Sequence, residues 1–538
     1  MRVLIFHGYL LQGTGSNVYN ANLAEALVRA GHEVHLFCQD RAPLDLPWVD
    51  AAGNWDGGQL GVQARRAHAR ATVYRPDIAG LLPVYVADRY EGVQAKTFPE
   101  LSEAELARYL RSNVDAVREI AEATRPDVAL ANHLVMGPAI LARALADLEV
   151  PYAVKIHGSA LEYTVKPHPR FLPYAREGLA SAAGVLVGSR HTAKSLWAAM
   201  GDPSLEGRTG LGPPGVDVAR FTPRSEGPAS EGVDALRARL RAAAIARGAP
   251  QPAEGAIPTE DGGLGTGDSE KVMAEVVASS FTRDHPEAAD ALARLDVQRD
   301  RPVIYIGKLI GSKGVELLLA AWPLVRAAVP EAKLLIVGFG GFKAGLQALA
   351  QALSAGDLAA AASMRSEEEA ELPWLSAFLA QLDGGARDQY VAAAAGMEQT
   401  LLWTGRLDHD DLHDLLPAME AMVVPSTFPE SFGMVAAEAA ACGVLPVVAR
   451  HSGLAEVAET LSSVVPDDVA ALLTFSIGPD AVRELAQALS GWLTTSGQAR
   501  RATRQAMVDV TRARYSWEGV ARTVIAAACG ELDALAKS

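Results

Sequence analysis

The chain reads as α/β, with two domains built on parallel, doubly wound sheets. Three observations predict this. Short apolar runs alternate with helical periodicity from residue 2 to about 224. The alternation breaks between 225 and 300 and restarts at 303. The 538 residues also exceed what one hydrophobic core serves. Strands that alternate with helices imply parallel sheets covered on both faces.

The elements follow in order. "RVLIF" (2–6) is a strand and "NVYNANLAEALVRA" (17–30) a helix, with Gly31 where a helix C-cap glycine belongs. "EVHLF" (33–37) is the next strand. Ser102 and Glu105 form a capping box before a helix running to about 123. "DVALA" (127–131), "YAVKI" (152–156) and "GVLVG" (184–188) complete the first set of strands. Between 225 and 300 one amphipathic helix, "VDALRARLRAAAIARG", precedes a Gly-, Pro- and acid-rich stretch (249–270) that reads as a flexible surface segment. The second set is "VIYIG" (303–307), "KLLIVG" (333–338), "TLLWTG" (400–405), "AMVVP" (421–425) and "LPVVA" (445–449). An Ala- and Glu-rich insertion, about 355–398, reads as helical. The expected layout is a first domain 1–224, a flexible linker 225–300 and a second domain 301–516.

Composition narrows the function classes. Apolar residues make up 49% and charged ones 21%, the balance of a soluble globular chain. No apolar run approaches the roughly 18 residues that span a bilayer. "MRVLIF" already reads as a core strand, so no signal peptide is expected. Cys38, Cys442 and Cys529 lack metal-ligand spacing and suit a reduced, cytoplasmic setting. The net charge of −15 argues against a nucleic-acid partner.

In open parallel sheets ligands sit beyond the carboxyl ends of the strands. After "RVLIF", Gly13 and Gly15 let backbone amides approach a ligand before a helix N-terminus. An ordinary strand–helix turn explains them equally, and Val18 at the third glycine position disfavours a dinucleotide fingerprint. After "VIYIG", Lys308 and Lys313 flank the start of the helix "VELLLAAW". Two cations at the positive end of a helix are awkward unless an anion such as a diphosphate lies between them; two solvated lysines are the alternative. In "FPESFGMVAAEAAACG" (428–443), Glu430 precedes a helix and Glu438 lies inside it. A favourable charge at the helix start for Glu430 and a solvated face for Glu438 are the alternative, but Val435 and five alanines around Glu438 leave little polar face to solvate it. Ser431, Phe432 and Gly433 present backbone amides at that helix start. A carboxylate suits sugar or ribose hydroxyls because it accepts two hydrogen bonds from vicinal OH groups. His157, after "YAVKI", would face the second domain, with a structural histidine as the ordinary alternative. Asp408 and Asp410 resemble a metal-binding Asp-x-Asp, but they open a helix and N-capping is favoured.

Together these residues resemble the retaining glycosyltransferases of family 4. The resemblance rests on the first glycine loop with "GHEV", on "PPGVDVARFTP" (213–223), "GKLIGSKG", "TGRL" (404–407) and the segment "VVPSTFPESFGMVAAEAAACGVLPVVA" with its two glutamates seven residues apart. "YSWEGVA" (515–521) resembles the end of the family's chains. The resemblance implies the GT-B fold, two Rossmann-like domains facing across a cleft, with a last helix (about 517–538) returning to the first. It implies a nucleoside-diphosphate-sugar donor, most simply UDP- or GDP-linked, and no metal or other cofactor. Glu430 would bind the donor sugar's hydroxyls, Glu438 the ribose hydroxyls, and Lys313 and Lys308 the diphosphate. Lys308 replaces the family's usual arginine, a point charge in place of a fork. His157 would touch the sugar near its anomeric carbon. Gly13, Gly15 and the Ser431–Gly433 amides would approach the phosphates, and Arg406 and Leu407 the base.

The acceptor hydroxyl is expected in the first domain, with Asn132 and His133 as candidate contacts. Arg65, Arg66, Arg70 and Arg75 could meet an acidic lipid face or a phosphorylated acceptor, although a solvated run is the favoured reading. Two rivals stand beside transfer. One is a nucleotide-sugar epimerase on the same architecture; the other is a non-catalytic sugar-nucleotide-binding scaffold.

Overall fold

A computed structural model describes residues 1–11, 15–56, 58–85, 94–248 and 285–537. The chain divides into two compact units. The first comprises Met1–Asp217, Glu430–Met434 and Ala513–Ser538; the second comprises Val218–Pro429 and Val435–Arg512. Both are α/β.

The first unit is built on a ten-stranded sheet. Its middle runs Gly184–Val187, Tyr152–Ile156, Val128–Asn132, Arg2–Phe6, Glu33–Phe37, Ala71–Arg75, all parallel. A hairpin (Ala51–Asp56 with Gln59–Ala64) extends one edge, and Thr209–Leu211 with the antiparallel Ala536–Lys537 extends the other. Arg2–Phe6 lies between Val128–Asn132 and Glu33–Phe37, so the winding reverses at its carboxyl end, where ligands of such sheets bind. The six middle strands are buried along nearly their whole length because helices cover both faces. Gly15–Arg29 and Trp517–Ala528 close one face through Tyr19, Leu23, Trp517 and Val524. Glu103–Thr124 helps close the other through Leu106, Leu110 and Ile120. That helix starts at the expected capping box: the Ser102 hydroxyl accepts the Glu105 amide at 3.2 Å, and Glu105 accepts the Ser102 amide at 2.9 Å.

The second unit has a six-stranded, wholly parallel sheet in the order Leu401–Gly405, Ala332–Val337, Arg301–Ile306, Ala421–Val424, Leu445–Ala449, Thr474–Phe475. Its winding reverses at Arg301–Ile306.

The stretch read as a flexible linker, 225–300, is helical at both described ends. Glu226–Gly248 and His285–Ala293 both belong to the second unit, which begins at Val218 rather than 301. The reason is periodicity. Ala229, Val233, Leu236 and Leu240 recur at helical spacing, and all four are buried. Arg224 and Arg239 also clamp Asp414, at 2.9 and 2.8 Å. The glycine-rich part of that stretch lies outside the described residues. The Ala- and Glu-rich insertion contributes the helices Leu358–Ala362, Pro373–Ala380 and Gly384–Ala394. It packs through Phe378 and Tyr390, whose hydroxyl donates to the Ala320 carbonyl at 2.8 Å.

Candidate functional site

In the second unit, the loop after Arg301–Ile306 is shaped by its own chemistry. The Tyr305 hydroxyl donates to the Lys308 carbonyl at 2.7 Å. Gly311–Lys313 forms a single tight turn and Gly314 follows with φ +66°. A Cβ at Gly314 would stand 2.1 Å from the Pro425 carbonyl oxygen, so only glycine lets the helix Val315–Ala328 start there. Lys308 precedes this turn and Lys313 is its last residue; both are partly buried, at the point where the sheet's winding reverses. Just past Leu401–Gly405, two strands away in the sheet, the Arg406 guanidinium lies 5.6 Å above the Phe339 ring and 3.5 Å from Asp408, and Leu407 is buried.

Glu438 sits in the helix Met434–Ala441 and is 3% exposed. Its neighbours Ala436, Ala437, Ala439, Ala440 and Ala441 are buried, so little of the carboxylate meets solvent. His409 satisfies it in part: its Nε2 lies 2.8 Å from Glu438 Oε1. Burial alone would lower the His409 pKa, but the charge and hydrogen bond of Glu438 outweigh it and hold the imidazole above its ordinary value. The ring is steadied against Phe221, 5.0 Å between centroids.

The first unit gathers a second set of groups at its own sheet's reversal. His7 follows the strand Arg2–Phe6, His133 follows Val128–Asn132, and His157 follows Tyr152–Ile156. The His133 ring centroid lies 4.7 Å from His157, 4.5 Å from Tyr85 and 5.4 Å from Tyr9. Asn132 Nδ2 donates to the Phe6 carbonyl, so its Oδ1 accepts from His157 Nε2 at 2.8 Å. Burial, reinforced by the neighbouring His133, Lys155 and His7, holds His157 neutral. Burial likewise takes His7 down to about 4. His133 is 2% exposed, and neither of its ring nitrogens has a hydrogen-bond partner among the described residues. Within the segment Glu430–Met434, the Ser431 hydroxyl donates to the His157 carbonyl at 2.9 Å, and the Phe432 ring meets Tyr515 edge-on at 5.2 Å. Gly158 has φ +90°, and a Cβ there would fall 1.9 Å from the Ser431 hydroxyl. Gly433 also has φ +110°.

The structure thus sorts the residues singled out in the sequence. Lys308, Lys313, Arg406, Leu407 and Glu438 belong to the second unit. Gly15, Asn132, His133, His157, Glu430, Ser431, Phe432 and Gly433 belong to the first. Gly13 lies outside the described residues, and Gly15 opens the helix Gly15–Arg29. Asn132 differs from its expected part as an acceptor contact. It is 1% exposed and both ends of its amide are used inside the protein, so it orients His157. Asp408 stands at the helix N-cap, its amide donating to Asp411 at 3.1 Å, and Asp410 pairs with Arg220 at 2.9 Å. No group of three His, Cys, Asp or Glu side chains among the described residues could hold a metal ion. No described helix is long and apolar enough to cross a membrane. Arg66 of the basic run pairs with Asp50 at 3.1 Å. Sequence reading missed His409, which sits between the two aspartates that drew attention, and His7, whose only signal was its place after the first strand.

Comparison with known proteins agrees with this architecture. Residues 14–204 match the glycosyl transferase 4-like domain and residues 384–506 match the glycosyl transferases group 1 domain. Glycogen synthase of Mycobacterium tuberculosis is 28% identical over 222 residues, 41% of this chain and 40% of that protein. A GDP-mannose-dependent phosphatidylinositol monomannoside mannosyltransferase of Corynebacterium glutamicum is 28% identical over 192 residues, 34% of this chain and 39% of the relative. These matches span less than half the length of the curated relatives. Among solved structures, sucrose-phosphate synthase of Thermosynechococcus elongatus superposes with a TM-score of 0.54 at 17% identity, covering 97% of this chain and 96% of its own. HepE of Anabaena, in complex with UDP and glucose, gives 0.54 at 15% identity, covering 98% of each chain. The chain is a GT-B protein of the family 4 glycosyltransferase type, with a glycosyl transferase 4-like domain followed by a group 1 domain.

Proposed function

We propose that the chain transfers a sugar from a nucleoside-diphosphate sugar to an acceptor hydroxyl with retention of anomeric configuration. The observation that carries this is the second unit's own arrangement. A buried, half-satisfied carboxylate, Glu438, and a two-lysine turn, Lys308–Lys313, come from segments that follow strands of one parallel sheet. A diol and a diphosphate are the ligand groups that such a pair fits. The reading also draws on the ligands held by solved structures of the same fold, UDP and glucose in HepE and ADP and acarbose in a starch synthase of Arabidopsis thaliana.

In this reading the bond from the anomeric carbon to the phosphate oxygen breaks and its electron pair leaves with the diphosphate. Lys308 and Lys313 stabilise the growing charge more in the transition state than in the ground state. The acceptor oxygen bonds to the anomeric carbon on the same face, and its proton passes to the leaving phosphate oxygen. Glu430 holds the sugar hydroxyls. Neutral His157, with Nε2–H directed to Asn132, presents an uncharged ring to the sugar. His133, with its unbonded ring nitrogens, is the contact we assign to the acceptor. Two lysines supply the countercharge, so no metal is needed, and activity should survive a chelator.

The test is calorimetric titration with UDP, GDP and ADP, in parallel with Glu438→Ala. One nucleotide should bind tightly, and the substitution should weaken it at least about tenfold, the cost of a lost charged hydrogen bond. No binding to any of the three overturns the donor assignment and brings the scaffold reading forward. Incubating donor alone and finding an epimer would favour the epimerase.

A further inference from the structure

The helical insertion reaches the two-lysine turn. Its acidic turn, "SEEEA" (366–370), places Glu367 so that the Gly311 amide points at both carboxylate oxygens, at 3.1 and 2.9 Å. Gly311 lies between Lys308 and Lys313. The fit is close on two sides. A Cβ on Gly311 would stand 2.8 Å from Ser366 Cβ, and one on Gly341 would stand 3.4 Å from Glu367 Cβ. Gly311 and Gly341 follow adjacent strands of the sheet, Arg301–Ile306 and Ala332–Val337, so Glu367 bridges two neighbouring loops.

The turn that carries Glu367 is itself fixed. Ser366 is buried, and its hydroxyl accepts the amides of Glu368 and Ala370, each at 3.2 Å. The Ser366 amide donates to the Ala370 carbonyl at 3.0 Å, and Glu369 takes φ +58° to close the turn. A solvated acidic run would need none of this.

We propose that Glu367 is a positioning residue for the anion-binding turn: by holding the Gly311 amide it sets the conformation in which Lys313 meets a diphosphate. This rests on the donor reading above. It gives the insertion a part in the donor site, although its charge is of the same sign as the ligand. The two effects of the carboxylate oppose each other. Its negative charge weakens attraction for an anion, and its hydrogen bond removes the entropic cost of ordering the turn. The side chain is exposed, so screening limits the first effect.

The test compares Glu367→Ala with Glu367→Gln in the full chain. Gln keeps one acceptor for the Gly311 amide and loses the charge. Hydrogen exchange of the peptide spanning Gly311 reads the clamp without any nucleotide. Exchange there should rise in Glu367→Ala and stay near the parent in Glu367→Gln, with the core strands unchanged in both. Calorimetry with the nucleotide that the parent binds should show affinity about tenfold weaker in Glu367→Ala. It should stay within about threefold of the parent in Glu367→Gln. Equal exchange in the parent and Glu367→Ala overturns the clamp. Affinity in Glu367→Ala equal to or tighter than the parent's overturns the positioning role and makes the carboxylate a competitor. If the parent binds no nucleotide while the clamp is measured, the donor reading has failed, and Glu367 has no ligand to position.

Discussion

Glu316 shows what a single residue can reveal about this site. It stands one turn after Lys313, is 3% exposed, and its Oε2 has no hydrogen-bond partner among the described residues. Burial pushes its carboxyl up to about 8, and the charge of Glu367 adds to the push. An acid held above its ordinary range binds its proton more tightly folded than unfolded. Stability therefore falls as pH rises from the ordinary carboxylate range to about 8, and is level above. Glu316→Gln should remove that slope, raising the melting temperature at pH 9 and leaving it nearly unchanged at pH 5. A parallel pH dependence in parent and variant would place the titration elsewhere. Glu430 makes a separate prediction about turnover. If it binds sugar hydroxyls chiefly in the transition state, Glu430→Ala should lower kcat about a hundredfold and leave nucleotide affinity within a few-fold. Equal losses in both would remove that role. At this scale the sequence was readable where chemistry contradicted surroundings. Glu438 among alanines could be singled out, whereas the partner that satisfies it, His409, comes from 29 positions away and only folding brings them together.

Among the elements, the strands and the loops after them were legible because each is local. An apolar run of five residues followed by glycine and lysine announces both a strand and its carboxyl end. Gly314 illustrates how strictly such a loop is specified. Gly314→Ala combines a left-handed backbone with a Cβ 2.1 Å from a carbonyl oxygen. It should cost about 3 kcal/mol or more by denaturant unfolding. Ser102→Ala should cost only about 1 kcal/mol, because the capping box can be replaced by water. A melt in which the two variants are indistinguishable would refute the distinction. The helix Glu226–Gly248 was half legible. Its later turns showed amphipathic spacing, but what that face meets comes from far along the chain: Arg239 pairs with Asp414, more than 170 residues further on. The acidic turn at Ser366–Ala370 was not legible, since its composition is that of a solvated run and its fixed geometry arises from packing against Gly311 and Gly341.

For the molecule as a whole, the alternation of strands and helices sufficed to count the domains but not to trace their borders. Contact with the first sheet, not position in the chain, decides that Ala513–Ser538 belongs to the first unit. Trp517, Val520, Val524 and Ala527 are buried against Tyr19, Leu23, Val34 and Leu186. Each large apolar side chain covered this way is worth about 1.5–3 kcal/mol. Ending the chain at residue 512 should therefore make the first unit far more sensitive to protease than the second. Equal resistance of both units would show that the tail is dispensable.

That same arrangement bears on how the protein is made. The second unit is contained between residues 218 and 512, apart from the short Glu430–Met434 segment, and has every strand of its sheet by residue 475. The first unit begins synthesis earlier but receives one of its covering helices only at Trp517–Ala528. Domains generally fold as units while the chain leaves the ribosome. Here the order of completion is the reverse of the order of synthesis. The sheet begun at Arg2 must keep Val34, Leu130 and Leu186 from aggregating while some three hundred further residues are translated.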